Sequence, residues 1–404
     1  MTKALLLENI HPFGKESLEA IGAEVTTHSG ALDEDELIEA LQGVDLVGIR
    51  SKTHITKRVV ENAPHLQAIG AFCIGTNQID LDAAAQAGIS VFNAPFSNTR
   101  SVVELALAEI IALTRRLTEK DKALHAGRWD KSAKGAHEVR GRVLGIVGYG
   151  NIGTQLSVVA EALGMRVIFY DTAEKLALGN AKRMASLDAL LEAADIVTLH
   201  VDGRPGNAGM FGAAQFARMK DGAIFLNLSR GFLVDYAHLR KEILSGRLSG
   251  AAVDVFPEEP KVQGDAFDSE LRDLSNVILT PHIGGSTEEA QENIGHFVAG
   301  KLGAFLRYGA TDLSVNMPQL VLEPPKYGTF RFTHLHRNVP GVLASVNNVL
   351  SEVGANVEAQ MLATSGVLGY VTTDIASPLR ADALAALESL EATIRVRSLN
   401  GAIE

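Results

Sequence analysis

Short apolar runs alternate with stretches in which apolar residues recur three and four positions apart. Early in the chain the runs are Ala4–Leu7, Leu46–Ile49 and Ala68–Ala71, and the helical stretches are Asp33–Leu41 and Leu81–Ala87. Uninterrupted apolar runs are typical of strands that are buried on both faces. Their alternation with helices predicts a parallel sheet with helices on its faces.

A second alternation follows a long helical pattern over Val102–Leu117. Its predicted strands are Val143–Val147, Val167–Tyr170, Ile196–His200, Ala223–Leu228, Gly250–Val255 and Val277–Thr280. A further helix is predicted over Thr287–Leu306. This part of the chain therefore predicts a doubly wound α/β domain of its own.

The segment from Met317 to Tyr327 carries Pro318, Pro324 and Pro325, which predict a stiff linker. The residues after it show the order strand, helix, two strands, helix, strand. That βαββαβ order is typical of a small ferredoxin-like module. The predicted fold class is α/β, with two doubly wound Rossmann/flavodoxin-like domains and a C-terminal ferredoxin-like domain.

Composition narrows the class of protein. The 404 residues are 46% hydrophobic and carry a net charge of −11, so we expect packed domains and no nucleic-acid or membrane partner. Cys73 is the single cysteine, which excludes an intrachain disulfide and a multi-cysteine metal site, and we predict no metal. The N-terminal apolar stretch is too short for a signal-peptide core, and we expect a cytoplasmic location.

A glycine-rich turn directly follows the predicted strand Val143–Val147 and precedes a helical pattern. In such a GxGxxG turn the first glycine permits the tight bend, the second admits a pyrophosphate and the third lets helix and strand pack closely. Asp171 ends the next strand, where a carboxylate accepts hydrogen bonds from a ribose 2′-hydroxyl and disfavours a 2′-phosphate, so NAD is the predicted cofactor. The cofactor-binding residues predicted here are Gly148, Gly150, Asn151, Ile152, Gly153 and Asp171.

Three polar residues each follow a predicted strand of the second α/β run: Arg230, Glu259 and His282. Ligands bind at the carboxyl ends of strands in open α/β sheets. Histidine suits proton transfer near neutral pH, a carboxylate can orient it, and an arginine fork can hold a substrate carboxylate. Together with NAD, these residue types predict oxidation of a 2-hydroxy acid.

The chain resembles the D-isomer-specific 2-hydroxyacid dehydrogenases. The resemblance lies in the GYGNIG turn, NLSRGFLVDYAHL from Asn227, AAVDVFPEEP from Ala251 and PHIGG from Pro281. It implies that His282 is the acid/base, that Glu259 is its partner and that Arg230 binds the substrate carboxylate. It also implies that residues 98–284 form an NAD-binding domain inserted between residues 1–97 and 285–316, which form the substrate-binding domain.

Two further stretches, Phe72–Asp80 and Asn93–Val102, resemble the members of that family that act on 3-phospho-D-glycerate. For Arg50, Ser51 and Lys52, two cations flanking a hydroxyl can clasp a phosphate, although a solvated loop explains them equally well. The substrate-binding residues implied by the resemblance are Arg50, Ser51, Lys52, Ile74, Gly75, Asn98 and Lys131. Further cofactor-binding residues that it implies are His200, Ser229, Asp254 and Gly284.

The tail resembles an ACT domain, a small amino-acid-sensing module, with the match carried by HLHRNVPGVL from His334. We expect residues 317–328 to form the linker and residues 329–404 the regulatory domain. The resemblance implies that His336, Asn338 and Asn356 bind L-serine across an interface between domains, and that the chain forms a homotetramer. Simpler roles stay open, because Asn338 can cap a helix near Pro340 and Asn356 can belong to a turn.

The function that the resemblance implies is NAD-dependent oxidation of 3-phospho-D-glycerate to 3-phosphohydroxypyruvate. This is the first step of L-serine biosynthesis, with L-serine as a feedback inhibitor. One alternative is a dehydrogenase of another 2-hydroxy acid such as 2-hydroxyglutarate. The other is an NAD-sensing binding protein without catalysis, which the joint presence of His282, Glu259 and Arg230 disfavours.

Overall fold

The computed structural model describes residues 1–260 and 264–399. The described chain forms two compact units, one made of residues 1–95 and the chain from Gln291 onward, the other made of Phe96–Ala290. The second unit interrupts the first in sequence. The finer division into a substrate-binding domain, a linker over residues 317–328 and a regulatory domain stays a prediction.

The elements are numbered in chain order. The strands are β1 Lys3–Leu6, β2 Glu24–Thr27, β3 Leu46–Ile49, β4 Ala68–Ala71, β5 Ser90–Phe92, β6 Val143–Val147, β7 Arg166–Tyr170, β8 Lys182–Arg183, β9 Ile196–Leu199, β10 Ala223–Asn227, β11 Leu248–Val253, β12 Val277–Leu279, β13 Phe330–Arg337, β14 Val357–Ser365, β15 Leu368–Ile375 and β16 Thr393–Leu399. The α-helices are α1 Pro12–Glu19, α2 Glu34–Ala40, α3 Lys57–Glu61, α4 Leu81–Gln86, α5 Thr99–Thr114, α6 Leu117–His125, α7 Asn151–Ala162, α8 Leu187–Ala193, α9 Ala213–Arg218, α10 Tyr236–Leu244, α11 Glu288–Tyr308, α12 Val342–Glu352 and α13 Ala381–Glu388.

The first unit contains a parallel five-stranded sheet in the order β2-β1-β3-β4-β5, the flavodoxin-like order. Strands β3 and β4 are buried at every position, as their unbroken apolar runs predict. The helix α11 packs closely on β4, because Gly70 has no side chain and a Cβ there would lie 2.8 Å from Val298 Cγ1. The sheet therefore has helices on both faces, with its strand carboxyl ends free to carry loops.

The second unit contains a seven-stranded parallel sheet in the order β12-β11-β10-β9-β6-β7-β8. The strand order reverses at β6: β7 pairs with one edge of β6, and β9 pairs with the opposite edge. One apolar core lies on each face of this sheet. A doubly wound sheet binds ligands at the point where the strand order reverses, which is where the glycine-rich turn follows β6.

The C-terminal part of the first unit forms an antiparallel sheet in the order β14-β15-β13-β16. The helices α12 and α13 contribute Val346, Leu350 and Leu387 to a core with Phe332 of the sheet. This βαββαβ arrangement and the two parallel sheets confirm the predicted fold class. Among the described residues, no helix is long and apolar enough to cross a membrane.

The helix near Pro340 begins later than the sequence suggests. Gly341 takes a left-handed conformation with φ of 91°, so helical geometry starts at Val342. The Asn338 side chain makes no capping bond and instead donates from Nδ2 to the Gly366 carbonyl oxygen at 3.2 Å. The interpretation of Asn338 as a helix cap is therefore wrong.

Candidate active site

The glycine-rich turn between β6 and α7 has the shape that a dinucleotide requires. Gly148 has φ of 92°, and a Cβ there would lie 2.4 Å from the His200 carbonyl oxygen. A Cβ at Gly153 would lie 2.3 Å from the Gly148 carbonyl oxygen, so the helix can approach the strand only with glycine there. A Cβ at Gly150 would meet nothing within 4 Å, so this side of the turn is open for a pyrophosphate at the N-terminus of α7.

The carboxylate of Asp171 is fixed beside this turn. Its Oδ2 accepts from the backbone N–H of Tyr149 and its Oδ1 from that of Ala173, both at 2.8 Å. Asp171 is partly exposed at the end of β7, Asn151 is exposed and Ile152 is half-buried. A fixed carboxylate at this position fits the ribose hydroxyls of NAD and repels a 2′-phosphate.

His200 and Ser229 both turn inward from the ends of neighbouring strands. His200 Nε2 lies 3.0 Å from Thr198 Oγ1, its Nδ1 is buried without a partner, and burial lowers the pKa of the imidazole to about 4. The Ser229 hydroxyl donates to the Leu199 carbonyl oxygen at 2.6 Å. His200 is therefore neutral at physiological pH, and direct cofactor contacts from these two side chains stay predictions.

Asp254 holds the turn that carries His282. Its carboxylate is 1% exposed and accepts hydrogen bonds from the backbone N–H groups of Ile283 and Gly284, each at 2.8 Å. The Thr280 hydroxyl donates to the same carboxylate at 2.6 Å. Because all three bonds serve this turn, the structure shows Asp254 as a residue that positions the turn, and its predicted contact with the cofactor stays a prediction.

His282 and Glu259 form a hydrogen-bonded pair. His282 Nδ1 lies 2.8 Å from Glu259 Oε2, and Glu259 Oε1 accepts from the backbone N–H of Phe256 at 3.0 Å. His282 has φ of 55°, an unusual conformation for a residue with a side chain, which marks a turn constrained by its surroundings. With Nδ1 bonded to the carboxylate, Nε2 is the nitrogen left to face a substrate.

The pair sets the protonation of the imidazole. The hydrogen bond to Glu259 raises the pKa of His282, burial opposes this, and the charges of Glu259 and Asp254 add to the increase. Burial raises the pKa of Glu259, but its bond to His282 and the charge of His282 outweigh that effect, so its pKa is lowered. The site therefore stabilises an imidazolium beside an ionised carboxylate, which is the state reached after His282 accepts a proton.

Arg230 is placed by a network that the sequence did not reveal. Asn227 is fully buried, and its Nδ2 donates to the Arg230 carbonyl oxygen and to the Tyr236 hydroxyl oxygen, both at 3.0 Å. The Tyr236 hydroxyl donates to the Val255 carbonyl oxygen at 2.6 Å. A Cβ at Gly231 would lie 2.0 Å from the Phe256 carbonyl carbon, so glycine brings the Arg230 loop against the loop that carries Glu259. The charge of Arg230 acts on both Glu259 and His282.

Replacing Glu259 by glutamine tests the electrostatic coupling of this pair. Because Glu259 raises the pKa of His282, the neutral amide lowers it. Oxidation needs neutral His282 and reduction needs the protonated form, so both pH profiles shift to lower pH. We also expect kcat to fall by about 10²-fold, since the imidazolium loses its partner. An unchanged pH profile in Glu259→Gln would contradict this coupling. Glu258→Gln, on the same loop, is the control and should keep the wild-type profile.

The loop of Arg50, Ser51 and Lys52 belongs to the other unit and is organised by a buried carboxylate. Glu8 is 8% exposed and accepts from the backbone N–H groups of Arg50 at 3.2 Å, Lys52 at 3.0 Å and Thr53 at 2.8 Å. Arg50 is half-buried, whereas Ser51 and Lys52 are exposed. Glu8 follows β1 at its carboxyl end, and that position alone could have identified it in the sequence.

The neighbouring loop of Ile74 and Gly75 is joined to the Arg50 loop. Gln78 is 4% exposed, and its Nε2 donates to the Arg50 carbonyl oxygen at 2.7 Å and to that of Gly75 at 3.2 Å. The Ile74 carbonyl oxygen accepts from Asn93 Nδ2 at 2.6 Å. The structure thus brings together, within one unit, five of the predicted substrate residues.

Substitution of Glu8 by glutamine removes the carboxylate that accepts hydrogen bonds from three backbone N–H groups of the Arg50 loop. We expect the Arg50 loop to lose its fixed shape, raising KM for a phosphorylated substrate by about 10-fold while kcat changes much less. Glu39→Gln, on an exposed position of α2 in the same unit, is the control. Steady-state kinetics check this, and a normal KM in Glu8→Gln would show that the loop needs no such support.

Asn98 and Lys131 have different surroundings. Asn98 lies at the start of α5, close to Gly285: a Cβ built on Gly285 would lie 2.4 Å from Asn98 Nδ2. The Oδ1 atom of Asn98 is buried and has no hydrogen-bond partner in the described structure. Lys131 lies in an exposed segment whose Trp129 is 82% exposed. The substrate contacts of Asn98 and Lys131 stay predictions.

The three predicted regulatory residues do not meet within one copy of the chain. His336 is 4% exposed and pairs with Gly369 across the sheet, with Asn338 just beyond it. Asn356 is exposed and its carbonyl oxygen accepts from the backbone N–H of Ala376, near the opposite end of the sheet. At about 3.3 Å per residue, His336, opposite Gly369, and Asn356, opposite Ala376, are about 20 Å apart along the strands. A single amino acid cannot span that distance.

Comparison with known proteins supplies the family. The NAD-binding domain of D-isomer-specific 2-hydroxyacid dehydrogenases matches residues 107–284, and the AHAS small subunit-like ACT domain matches residues 332–395. The chain is 49% identical over 398 residues to D-3-phosphoglycerate dehydrogenase of Haemophilus influenzae, covering 98% of this chain and 97% of the relative. It is 46% identical over 402 residues to D-3-phosphoglycerate dehydrogenase 1 of Saccharomyces cerevisiae, covering 97% and 85% respectively.

Solved structures agree with this. D-2-hydroxyisocaproate dehydrogenase is 27% identical with a TM-score of 0.70, covering 78% of this chain and 100% of that chain. The fold and the site define an NAD-binding dehydrogenase of D-2-hydroxy acids with a C-terminal ACT domain. Within that class, the chain belongs to the D-3-phosphoglycerate dehydrogenase family.

Proposed function

We propose that this protein oxidises 3-phospho-D-glycerate to 3-phosphohydroxypyruvate with NAD, the entry step of L-serine biosynthesis, in the cytoplasm. The observation that carries the proposal is the hydrogen-bonded pair of His282 and Glu259 beside Arg230, on the sheet whose glycine-rich turn fits a dinucleotide. The names of the relatives supply the substrate. No role is assigned to a metal.

Each residue of the proposed site has a separate role in the reaction. The glycine-rich turn and Asp171 would hold NAD, which would supply the acceptor for the hydride that leaves the substrate carbon carrying the hydroxyl. His282 takes the hydroxyl proton at Nε2, and Glu259 stabilises the imidazolium that results. Arg230 holds the substrate carboxylate with its planar fork. In the reverse direction, protonated His282 returns the proton to the carbonyl oxygen.

Phosphate recognition is assigned to the loop of Arg50, Ser51 and Lys52. Two cations and a hydroxyl can neutralise and bind a phosphate, and Glu8 and Gln78 support the backbone of this loop. The backbone of Ile74 and Gly75 is proposed to bind the substrate carboxylate. A second carboxylate, as in 2-hydroxyglutarate, could use the same charges, so the assay must include it.

The test is consumption of NADH by the pure protein with 3-phosphohydroxypyruvate, 2-oxoglutarate, pyruvate or glyoxylate. Preference for the phosphorylated keto acid supports the proposal. Preference for another keto acid would keep the dehydrogenase chemistry and overturn the phosphate site. Tight NADH binding without turnover of any of them would favour a sensor without catalysis.

We also propose that L-serine inhibits the enzyme by binding between two copies of the ACT sheet, within a homotetramer. The separation of His336 and Asn338 from Asn356 supports this, because a ligand that touches all three needs one copy for the first two and another for the third. β14 is an edge strand with exposed Val357, Met361 and Leu362, which suits pairing with a second sheet. The exposed Trp129 suits a second contact between copies.

Titration of L-serine against the wild type, Asn338→Ala and Asn356→Ala tests the regulatory proposal. We expect both variants to need about 10-fold or more serine for half inhibition, because each loses hydrogen bonds to a charged ligand. Asn347→Ala, on α12 of the same domain, is the control. Wild-type sensitivity in both variants, or a monomer by light scattering with serine present, would contradict the proposal.

A further inference from the structure

The helix α5 carries a buried acid that the reaction described above does not use. Glu109 is 3% exposed, and neither of its carboxyl oxygens has a hydrogen-bond partner in the described structure. The other buried residues of this face of α5 are mostly apolar and belong to the core that covers the sheet. An ionised carboxylate without donors is costly in such a place, so Glu109 holds its proton.

The groups that face Glu109 belong to the turn that carries His282. Asp254 follows β11 and Thr280 follows β12, and both act on the Glu109 carboxyl. The Thr280 hydroxyl also acts on the Glu109 carboxyl, but its single hydrogen is donated to Asp254. Asp254 accepts two further hydrogen bonds, from the backbone N–H groups of Ile283 and Gly284. His282, when protonated, is a positive charge that acts on Asp254.

This distribution of donors assigns the protons of the two acids. Two carboxyl groups buried together cannot both ionise cheaply, and the negative charge settles on the one with donors. Asp254 therefore carries the charge and Glu109 the proton. Burial and the charge of Asp254 raise the pKa of Glu109 to about 8, while Thr280 lowers it. Burial also raises the pKa of Asp254, against its three hydrogen bonds.

We propose that Glu109 is a positioning residue that acts through Asp254. Its neutral carboxyl lets Asp254 stay ionised and hold the Ile283 and Gly284 amides, which fixes the turn and the imidazole of His282. When Glu109 ionises, two buried negative charges face each other beneath this turn. Their repulsion separates Asp254 from the amides, and His282 loses its alignment with Glu259. The proposal deepens the proposed dehydrogenase function and rests on it.

The kinetic test is the pH dependence of kcat for 3-phospho-D-glycerate oxidation, measured between about pH 6 and pH 10. In this direction His282 acts when neutral, so its own titration gives a rise and then a plateau. Ionisation of Glu109 adds a fall above about pH 8. In Glu109→Gln the amide cannot ionise, and we expect this fall to disappear or to move up by about one pH unit or more.

Glu104→Gln is the matched control. Glu104 lies on the same helix, but it is exposed and pairs with Arg100 at 2.6 Å. We expect its profile to match the wild type. A merely structural role of Glu109 would lower kcat equally at all pH values and leave the fall in place. Glu109→Gln with an unchanged alkaline fall would overturn the proposal.

An infrared titration of the wild-type protein observes the protonated carboxyl without relying on a variant. At about pH 7 exposed carboxyls are ionised, so a band from a protonated carboxyl in the wild type reports a buried acid. We expect this band to vanish in step with the fall in kcat, and to be absent in Glu109→Gln if that variant folds. Absence of the band in the wild type would overturn the proposal. A band without dehydrogenase activity would instead contradict the proposed function alone.

Discussion

Replacing His282 by alanine is expected to lower kcat by about 10²- to 10⁴-fold in both directions, because the substrate then has no proton acceptor or donor. The Kd for NADH should change little, since the glycine-rich turn and Asp171 lie at the ends of β6 and β7, away from the strand that precedes His282. Single-turnover kinetics and NADH fluorescence titration measure the two quantities separately.

The control for this substitution is His28→Ala, which removes an exposed histidine near β2. A dehydrogenase should tolerate that change. Equal turnover in His282→Ala and the wild type would exclude His282 as the acid/base. Loss of NADH binding together with turnover would show that the substitution damaged the whole domain.

Replacing Arg230 by lysine is expected to have the second largest effect. Lysine keeps the positive charge but lacks the planar fork that binds a carboxylate with two parallel hydrogen bonds. We expect kcat/KM for the keto acid to fall by about 10²-fold or more, because each hydrogen bond to a charged group contributes about 1.5–3 kcal/mol. Steady-state reduction assays at saturating NADH measure this loss.

Arg218→Lys is the control for Arg230. Arg218 is exposed on α9 of the same unit and pairs with Asp188 and Glu192, so lysine should serve there. If Arg230→Lys kept wild-type kcat/KM, Arg230 would act only through its charge, and the assignment of the substrate carboxylate to its fork would be wrong.

The elements that the sequence predicted well are those whose pattern is local. Strand β3 and strand β6 have the predicted bounds, because the apolar run ends at a charged residue in the first case and at a glycine-rich turn in the second. Helix α12 begins at Val342, two positions after Pro340, since Gly341 takes a left-handed geometry that depends on how strand and helix join and not on the proline before it. The fold class could be predicted because element order and the glycine-rich turn restrict the topology.

The site residues that directly follow strands could be predicted from the sequence. The residues that act through contacts with distant parts of the sequence could not. His282 and Glu259 follow successive strands, and the structure joins them as the pattern implies. Glu8 follows the carboxyl end of β1, but its hydrogen bonds to backbone amides more than forty positions away depend on the fold, and no spacing in the sequence predicts them. Glu109 lies in an apolar helical pattern, and only the fold brings its carboxyl close enough to Asp254 for the two charges to interact.

The most direct test of the central claim compares 3-phosphohydroxypyruvate with hydroxypyruvate as substrates for the wild type and for Arg50→Ala. The account predicts that kcat/KM favours the phosphorylated substrate by about 10²-fold or more in the wild type, because Arg50, Ser51 and Lys52 bind the phosphate. In Arg50→Ala most of that preference should disappear, while turnover of hydroxypyruvate persists. Equal kcat/KM for the two substrates in the wild type, or a preference that Arg50→Ala leaves intact, would contradict the account.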